Sequence, residues 1–400
     1  MSIFKKNLFL KLFFSFFFIF SIFKLYDNAL SRDAWQYGEW LINYQNGFVR
    51  RGFFGEIIFN FSKLLNGNIQ ISFVILVSFV CFIYYYLSYL FFKKIKLNNI
   101  WFLILFSPIF YFFLVVISKV GINKFIILYI FYLSYLLFLC SKKFSYDKNF
   151  IFFLFFPAIL LIHEAFIFFL PFLFFPITFI LKRKNYNYFL TQITVTIFLS
   201  LVTLFLIYLN KGSFIHTEII CKSLQQYAPM KCEWWGPIFS LSHDLGINNE
   251  GKKLSFFYIF NDYKTYLGFL LYFLYSYFPL YYLQTKTKLN LSKNFYDKKL
   301  IKIFFLITLF STFPLFHFAE DWSRWLSAIF HLMVFLLVFL KIKNIIIFKK
   351  VITNFKTKKI NYIFAIFLII YPTFLHHHHF FFKGVRLEFT YYKIIKKLIN

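Results

Sequence analysis

Two arginines stand between glycines in the run Gly47-Phe48-Val49-Arg50-Arg51-Gly52. Two guanidinium forks with backbone N–H groups beside the start of a helix would suit a phosphate or pyrophosphate. The competing reading is that both arginines rest on lipid headgroups. A second ionisable pair, His163-Glu164, interrupts an otherwise apolar stretch from Ile151 to Leu181. Ionisable groups at membrane depth are costly and are usually paired or functional. His163 is therefore a candidate proton shuttle or hydrogen-bond donor to phosphate, and Glu164 a candidate to orient an arginine. In Glu320-Asp321-Trp322-Ser323-Arg324-Trp325 the arginine follows the aspartate by three residues. On one helical face Asp321 could hold Arg324 extended toward an anionic group, or the two could form a local surface pair of little energetic consequence. Asp27 and Asp33 are candidates for a general base that takes a proton from a hydroxyl, and Asp33 is favoured because it shares its predicted helix with aromatics, Trp35 and Tyr37, that could line a sugar site. Its competing role is to complement a helix dipole. Trp35 and Glu39 join the substrate-binding set.

These residues must be positioned by a membrane bundle. With 60% apolar and 26% aromatic residues, the 400-residue chain cannot hide its apolar surface in a water-soluble globule. A spanning helix needs about 20 apolar residues, and runs of roughly that length alternate with short charged segments. An alternating-strand barrel pattern is absent. The net charge of +29 is carried by lysines that flank apolar runs and form no continuous basic face, so nucleic acid is not an expected partner and anionic lipid is. The expected fold is all-α, a polytopic transmembrane helix bundle of about eleven spans. They are Leu8 to Phe23, Ile71 to Phe92, Trp101 to Ser118, Phe125 to Cys140, Ile151 to Ile162, Ala165 to Leu181, Tyr188 to Leu209, Tyr263 to Leu283, Leu300 to Phe316, Trp325 to Leu340 and Tyr362 to Phe382. Basic clusters flank the Ile151–Leu181 run on both sides, so the chain is expected to turn back at His163-Glu164.

Lysine-rich segments belong on the cytoplasmic side, which places the N-terminus there and implies a bacterial inner membrane protein. Of the fifteen acidic residues, all but Asp147, Asp297 and Glu388 then fall outside, although acids were not used to set the orientation. An outer face with most of the acids and with Arg32, Arg50, Arg51 and Arg324 points to an extracytoplasmic active face. Positive-inside selection alone would also enrich acids there.

One integral membrane domain covers residues 1–400, with three non-spanning parts. The first is an outer segment, 24–70, in which Ser31 is expected to cap a helix through Ile42, and Phe54 to Leu65 to form a second, before the Asn66-Gly67 stop; both are expected to be amphipathic and to lie in the interface. The second is a lid-like loop, 210–262, where Cys221 and Cys232 are a disulfide candidate in an oxidising compartment. The third is an amphipathic tail, 383–400. His376 to His379 point around a helix and cannot converge on one ion, so no metal ligands are assigned. No phosphate-binding loop, dinucleotide fingerprint or hydrolase elbow is present.

A first span, a long acid-bearing outer segment and many further spans with a lidding loop resemble the GT-C class of membrane glycosyltransferases. Gly47-Phe48-Val49-Arg50-Arg51-Gly52, His163-Glu164 and Asp321-Trp322-Ser323-Arg324-Trp325 also look like pieces of surface-polysaccharide membrane proteins, including O-antigen-polymerase-like proteins. The adjacent acidic pair of many GT-C first loops is replaced here by the separated Asp27 and Asp33. The resemblance implies a polyprenyl-phosphate-linked sugar as donor, a glycan or lipid as acceptor, and no cofactor beyond, at most, a divalent cation. Asp33 would deprotonate the acceptor while Arg50, Arg51 and Arg324 stabilise the leaving phosphate. The alternatives are a polysaccharide polymerase and, from another class, a lipid-linked glycan flippase or transporter.

Overall fold

The computed structural model describes residues 3–32, 35–117, 122–142, 144–181, 185–225, 236–242, 263–289, 298–318 and 322–348. Asp33, Cys232, Asp321, the span at 362–382, the histidines at 376–379 and the tail at 383–400 lie outside them.

In an apolar solvent each backbone polar group must find its partner within the chain, and Phe, Ile and Leu runs therefore resolve into helices. α1 (Ile3–Ser31) packs along α4 (Ile69–Phe92) as the most extensive helix pair of the molecule. Leu10, Phe14, Phe17, Ser21, Leu25 and Asn28 recur at helical spacing and are buried, whereas Leu8, Leu12, Phe16, Ile19 and Phe23 form an exposed apolar stripe suited to lipid. Ser21 Oγ and Tyr85 OH meet at 2.9 Å across this pair. Between the two lie α2 (Gln36–Leu41) and α3 (Phe53–Leu64). After α4 come α5 (Asn99–Leu105), a wide π turn (Phe113–Ile117), α6 (Phe125–Leu139), α7 (Tyr146–Leu160), a 3₁₀ run (Glu164–Phe169), α8 (Leu170–Thr178), α9 (Tyr186–Leu209), α10 (Phe214–Gln225) and a 3₁₀ turn (Phe239–Ser242). Then follow α11 (Tyr263–Lys286), α12 (Lys298–Phe310), α13 (Phe313–Phe318) and α14 (Trp322–Ile342).

The helical fold is as expected. Among the described residues four helices are long and apolar enough to cross a membrane, namely Phe4–Ser31, Ile69–Phe92, Tyr186–Leu209 and Arg324–Ile342, and three shorter apolar helices accompany them. The expected span Trp101 to Ser118 is broken after α5 at Ser107-Pro108, where proline cannot supply a helical N–H. The run from Ile151 breaks at His163-Glu164 as expected. Its halves do not lie along each other, however: α7 packs on α9, while α8 packs on α12 and α14.

The segment between α1 and α4 also departs from expectation. Ser31 ends α1 and caps nothing, its Oγ donating back to Asn28 O, and Arg32 follows at φ 53°. α2 is buried at every residue, so it is no interfacial amphipathic helix but part of the interior. α3 begins and ends within one residue of the expected bounds, burying Gly55, Ile58, Phe59 and Ser62 while exposing Phe53, Ile57 and Leu64. Its stop is the Asn66-Gly67 turn, at φ 52° and 80°.

Lysine-rich segments meet one another at one end of the bundle. Lys6 Nζ donates to Lys93 O and Ile95 O, at 2.8 and 3.1 Å. A short antiparallel ribbon, β1 (Thr287–Leu289) with β2 (Ile346–Phe348), joins the segments that follow α11 and α14. Arg324, at the start of α14, belongs to the group of ionisable residues described next.

Candidate functional site

The turn that carries the arginines is built by close backbone approach. Gly47 opens it at φ 88°. The Glu56 carboxylate, one turn into α3, accepts Tyr44 N at 2.8 Å and Asn60 Nδ2 at 2.8 Å, clamping both sides of the loop. Gly55 is required by contact, because a Cβ there would stand 1.9 Å from Ile42 O, and one at Gly52 would stand 2.2 Å from the Tyr44 ring. Arg51 holds φ 64°, the left-handed region that side chains rarely adopt. Two of its backbone N–H groups are used: Arg50 N donates to Asn210 O at 3.1 Å and Gly52 N to Val49 O at 3.3 Å. The ionisable side chains around the turn complete the site.

Those side chains converge from five separate parts of the sequence. Arg51 Nε lies 3.0 and 2.9 Å from the two oxygens of Glu164, and Nη2 donates to the same carboxylate, a fork-to-carboxylate pair. Arg50 Nη1 is 3.9 Å from Glu164 Oε1, and its Nη2 donates to Ser240 O at 2.7 Å. Lys124, the residue before α6, donates from Nζ to Arg51 O at 2.6 Å. Glu39, on the buried α2, lies 3.9 Å from His163 Nε2 and 3.6 Å from Arg324 Nη1. Among the described residues neither Glu39 oxygen accepts a hydrogen bond, although the side chain is 3% exposed.

Second partners fix the frame. His163 is extended and its Nδ1 accepts Ala165 N at 3.2 Å, so the imidazole caps the 3₁₀ run that Glu164 begins. With Nδ1 accepting, a neutral ring carries its proton on Nε2, the nitrogen nearest Glu39. Gln36 Nε2 and Trp40 Nε1 both donate to Ile122 O at 3.1 Å, tying one face of α2 to the approach to Lys124. Asn28 on α1 donates to the Gln36 side chain.

Burial and charge set the protonation states. Burial alone would raise the Glu164 carboxyl, but the guanidiniums of Arg51 and Arg50 outweigh it and hold the group below the usual carboxylate range. Burial, reinforced by Arg51 and Arg324, keeps His163 well below the ordinary imidazole value. Lys124 is fully buried, and that desolvation pushes it down to about 7 against the attraction of Glu39 and Glu164.

The cluster thus joins Glu39, Arg50, Arg51, His163, Glu164 and Arg324, all singled out in the sequence. Arg324 is met by Glu39, a partner 285 residues distant in sequence (324 − 39). Trp35 is half-buried one turn before Glu39, whose N–H donates to Trp35 O at 3.1 Å. Asp27 is exposed on α1, unlike the buried cluster. Cys221 is disulfide-bonded, whereas Cys81 and Cys140 are free. Among the described residues no three His, Cys, Asp or Glu side chains are arranged to hold a metal ion.

Two participants escaped the sequence reading. Ser240 acts through its carbonyl, which no side-chain pattern reveals. Lys124 is one of 44 basic residues, and its signal is position: it stands in a short segment on the side opposite the lysine-rich loops, against the prevailing bias.

Helices of spanning length around a buried, turn-borne ionisable cluster define a membrane protein with an internal charged site. Compared with protein-family models, curated proteins and solved structures, the chain matches none.

Proposed function

We propose that this protein is a membrane glycosyltransferase that acts at the extracytoplasmic face of a bacterial inner membrane on a polyprenyl-phosphate-linked sugar or glycan. The observation that carries the reading is Glu39: a carboxylate buried to 3% exposure, flanked by His163 and Arg324, with no hydrogen bond to either oxygen among the described residues. Buried carboxylates are ordinarily satisfied, and one left with accepting capacity in an apolar bundle suits a reaction that brings it a proton.

In the proposed step the acceptor hydroxyl oxygen bonds to the sugar C1 while its proton passes to Glu39. The bond between C1 and the lipid-phosphate oxygen breaks, and its electron pair stays on that oxygen. Arg51 meets the developing charge. Its Nε and Nη2 engage Glu164, which leaves Nη1 to the ligand, and the side chain is 22% exposed. Catalysis of this kind is positioning and electrostatics held by a frame that does not reorganise. Sequence pattern alone favours Asp33 as the base; burial and the contacts of Glu39 favour Glu39.

The test is the protein in liposomes with radiolabelled sugars on polyprenyl monophosphate and pyrophosphate, with lipid and glycan acceptors. Transfer is expected in the wild type and a fall of about 100-fold or more in Glu39→Gln, the scale of a lost general base. Loss on Asp33→Asn with Glu39→Gln active would return the base to Asp33. Movement of the lipid-linked sugar across the bilayer without transfer would overturn the reading in favour of transport.

A further inference from the structure

We propose that Lys124 is a positioning residue of this site that ties phosphate binding to its own protonation: its ammonium holds the Arg51 backbone in place and supplies the site's one titratable positive charge among the described residues. The inference rests on the glycosyl-transfer reading above for the chemistry of the ligand, a phosphodiester linking a lipid to a sugar.

The geometry begins with the backbone. Arg51 occupies φ 64°, a left-handed conformation that side-chain-bearing residues rarely adopt and that persists only where its surroundings fix it. Lys124 Nζ is bound to the Arg51 carbonyl at 2.6 Å, which anchors that conformation from the α6 side while Glu164 anchors the guanidinium from the other. Moving the carbonyl would swing the fork off Glu164. Lys124 therefore acts on the ligand through Arg51.

The second element is charge. Lys124 is fully buried and has one hydrogen bond, leaving two N–H directions on the ammonium. The groups that act on it come from every side: Glu39 from α2, Arg51 from the glycine turn, and Glu164 with His163 from the break between α7 and α8. Arginines do not titrate in this range, and His163 is held neutral by burial and its cationic neighbours. Lys124 is the member of the cluster whose charge changes near neutrality, because burial brings it down to about 7. An incoming phosphodiester stabilises the ammonium, and reciprocally the ammonium stabilises the phosphodiester. Affinity should then be highest below pH 7 and fall as pH rises through it, since the neutral amine offers no counter-charge.

The experiment measures binding of a short-chain prenyl phosphoglucose to the purified full chain in detergent between pH 6 and 9. This probe is a phosphodiester, so its own charge is constant over that range. The expected result is a wild-type affinity about tenfold lower at pH 9 than at pH 6, the size of a one-unit shift of the lysine on binding. Lys124→Arg should remove the pH dependence with binding retained. Lys124→Met should bind weakly at every pH, because it removes both the bond to the Arg51 carbonyl and the counter-charge. A lysine that contributed no charge to the ligand would leave the wild-type profile flat. A flat wild-type profile with tight binding, or a pH dependence that survives in Lys124→Arg, overturns the role of Lys124 and leaves glycosyl transfer standing. Absence of binding at every pH overturns both.

Discussion

The ionisable cluster and the aromatic interior below it are built from the same bundle by opposite means. The cluster is made from turns and helix ends: the Gly47–Gly52 turn, the residue before α6, the break at His163 and the start of α14. The interior is made from helix middles. There His331 on α14 stacks on Tyr129 of α6, with ring centroids 4.4 Å apart and planes 3° apart, inside a shell of Phe110, Tyr111 and Tyr84. Polar side chains in the helices largely turn back on their own backbone, as Ser21 does to Phe17 O, Thr196 to Gln192 O and His331 Nδ1 to Ser327 O. In the cluster the contacts run between distant segments. A helix middle can satisfy a polar group locally, whereas a turn has backbone and side chains to spare and must find partners elsewhere. The region suited to an outside ligand is the one whose polar groups already look outward from their own element.

That contrast can be broken at several points. The largest expected effect is at Glu164. Glu164→Ala leaves the part-buried Arg51 beside Arg50 without its carboxylate, and the loss of these charge-assisted hydrogen bonds costs about 3 kcal/mol. Thermal unfolding in detergent should show a large fall in melting temperature, and an unchanged value would mean that the pair does not organise the turn. Next is Gly55→Ala, whose added methyl meets Ile42 O and must push α3 from the end of α2. Overpacking of this kind costs about 1–3 kcal/mol, and the same assay should register it together with loss of phosphodiester binding.

Acidification distinguishes the two regions differently. His163 in the unfolded chain takes up a proton below its usual 6.5, while the folded cluster refuses it, so stability should decline as pH falls from there. A second loss should set in below the ordinary carboxylate value of 4.5, where the unfolded Glu164 takes a proton that the folded one, held by arginines, does not. His163→Asn should remove the first stage alone. The smallest effect is expected in the aromatic interior. His331→Phe removes one hydrogen bond and a buried nitrogen, Nε2, that has no hydrogen-bond partner, so the melting temperature should move by less than about 1 kcal/mol in equivalent stability. A loss as large as that of Glu164→Ala would show that the interior histidine is as structurally coupled as the cluster.

The sequence by itself determined the helical membrane class, because so high an apolar fraction in long runs admits no other solvent. It also supplied six members of the cluster, since Glu39, Arg50, Arg51, His163, Glu164 and Arg324 are conspicuous where charge is costly. The α3 bounds and the Asn66-Gly67 stop were legible for the same local reason, a hydrophobic period ended by residues that tolerate positive φ. What only the tertiary structure decided is pairing and burial. Arg324 is conspicuous in its own segment, but its approach to Glu39 on α2 is made by the fold; Ser31 has the chemistry of a cap, yet it is the last residue of α1 and its hydroxyl turns back to Asn28. α2 carries polar residues at every turn, yet it is buried because Asn28 and Ile122 supply the partners that water would have given. Lys124 is inconspicuous among many lysines and gains its role from the Arg51 carbonyl. Periodicity fixes what a segment is, because that is a property of neighbours along the chain. Which charges meet depends on where helices break and cross, and those energies are shared among residues hundreds of positions apart.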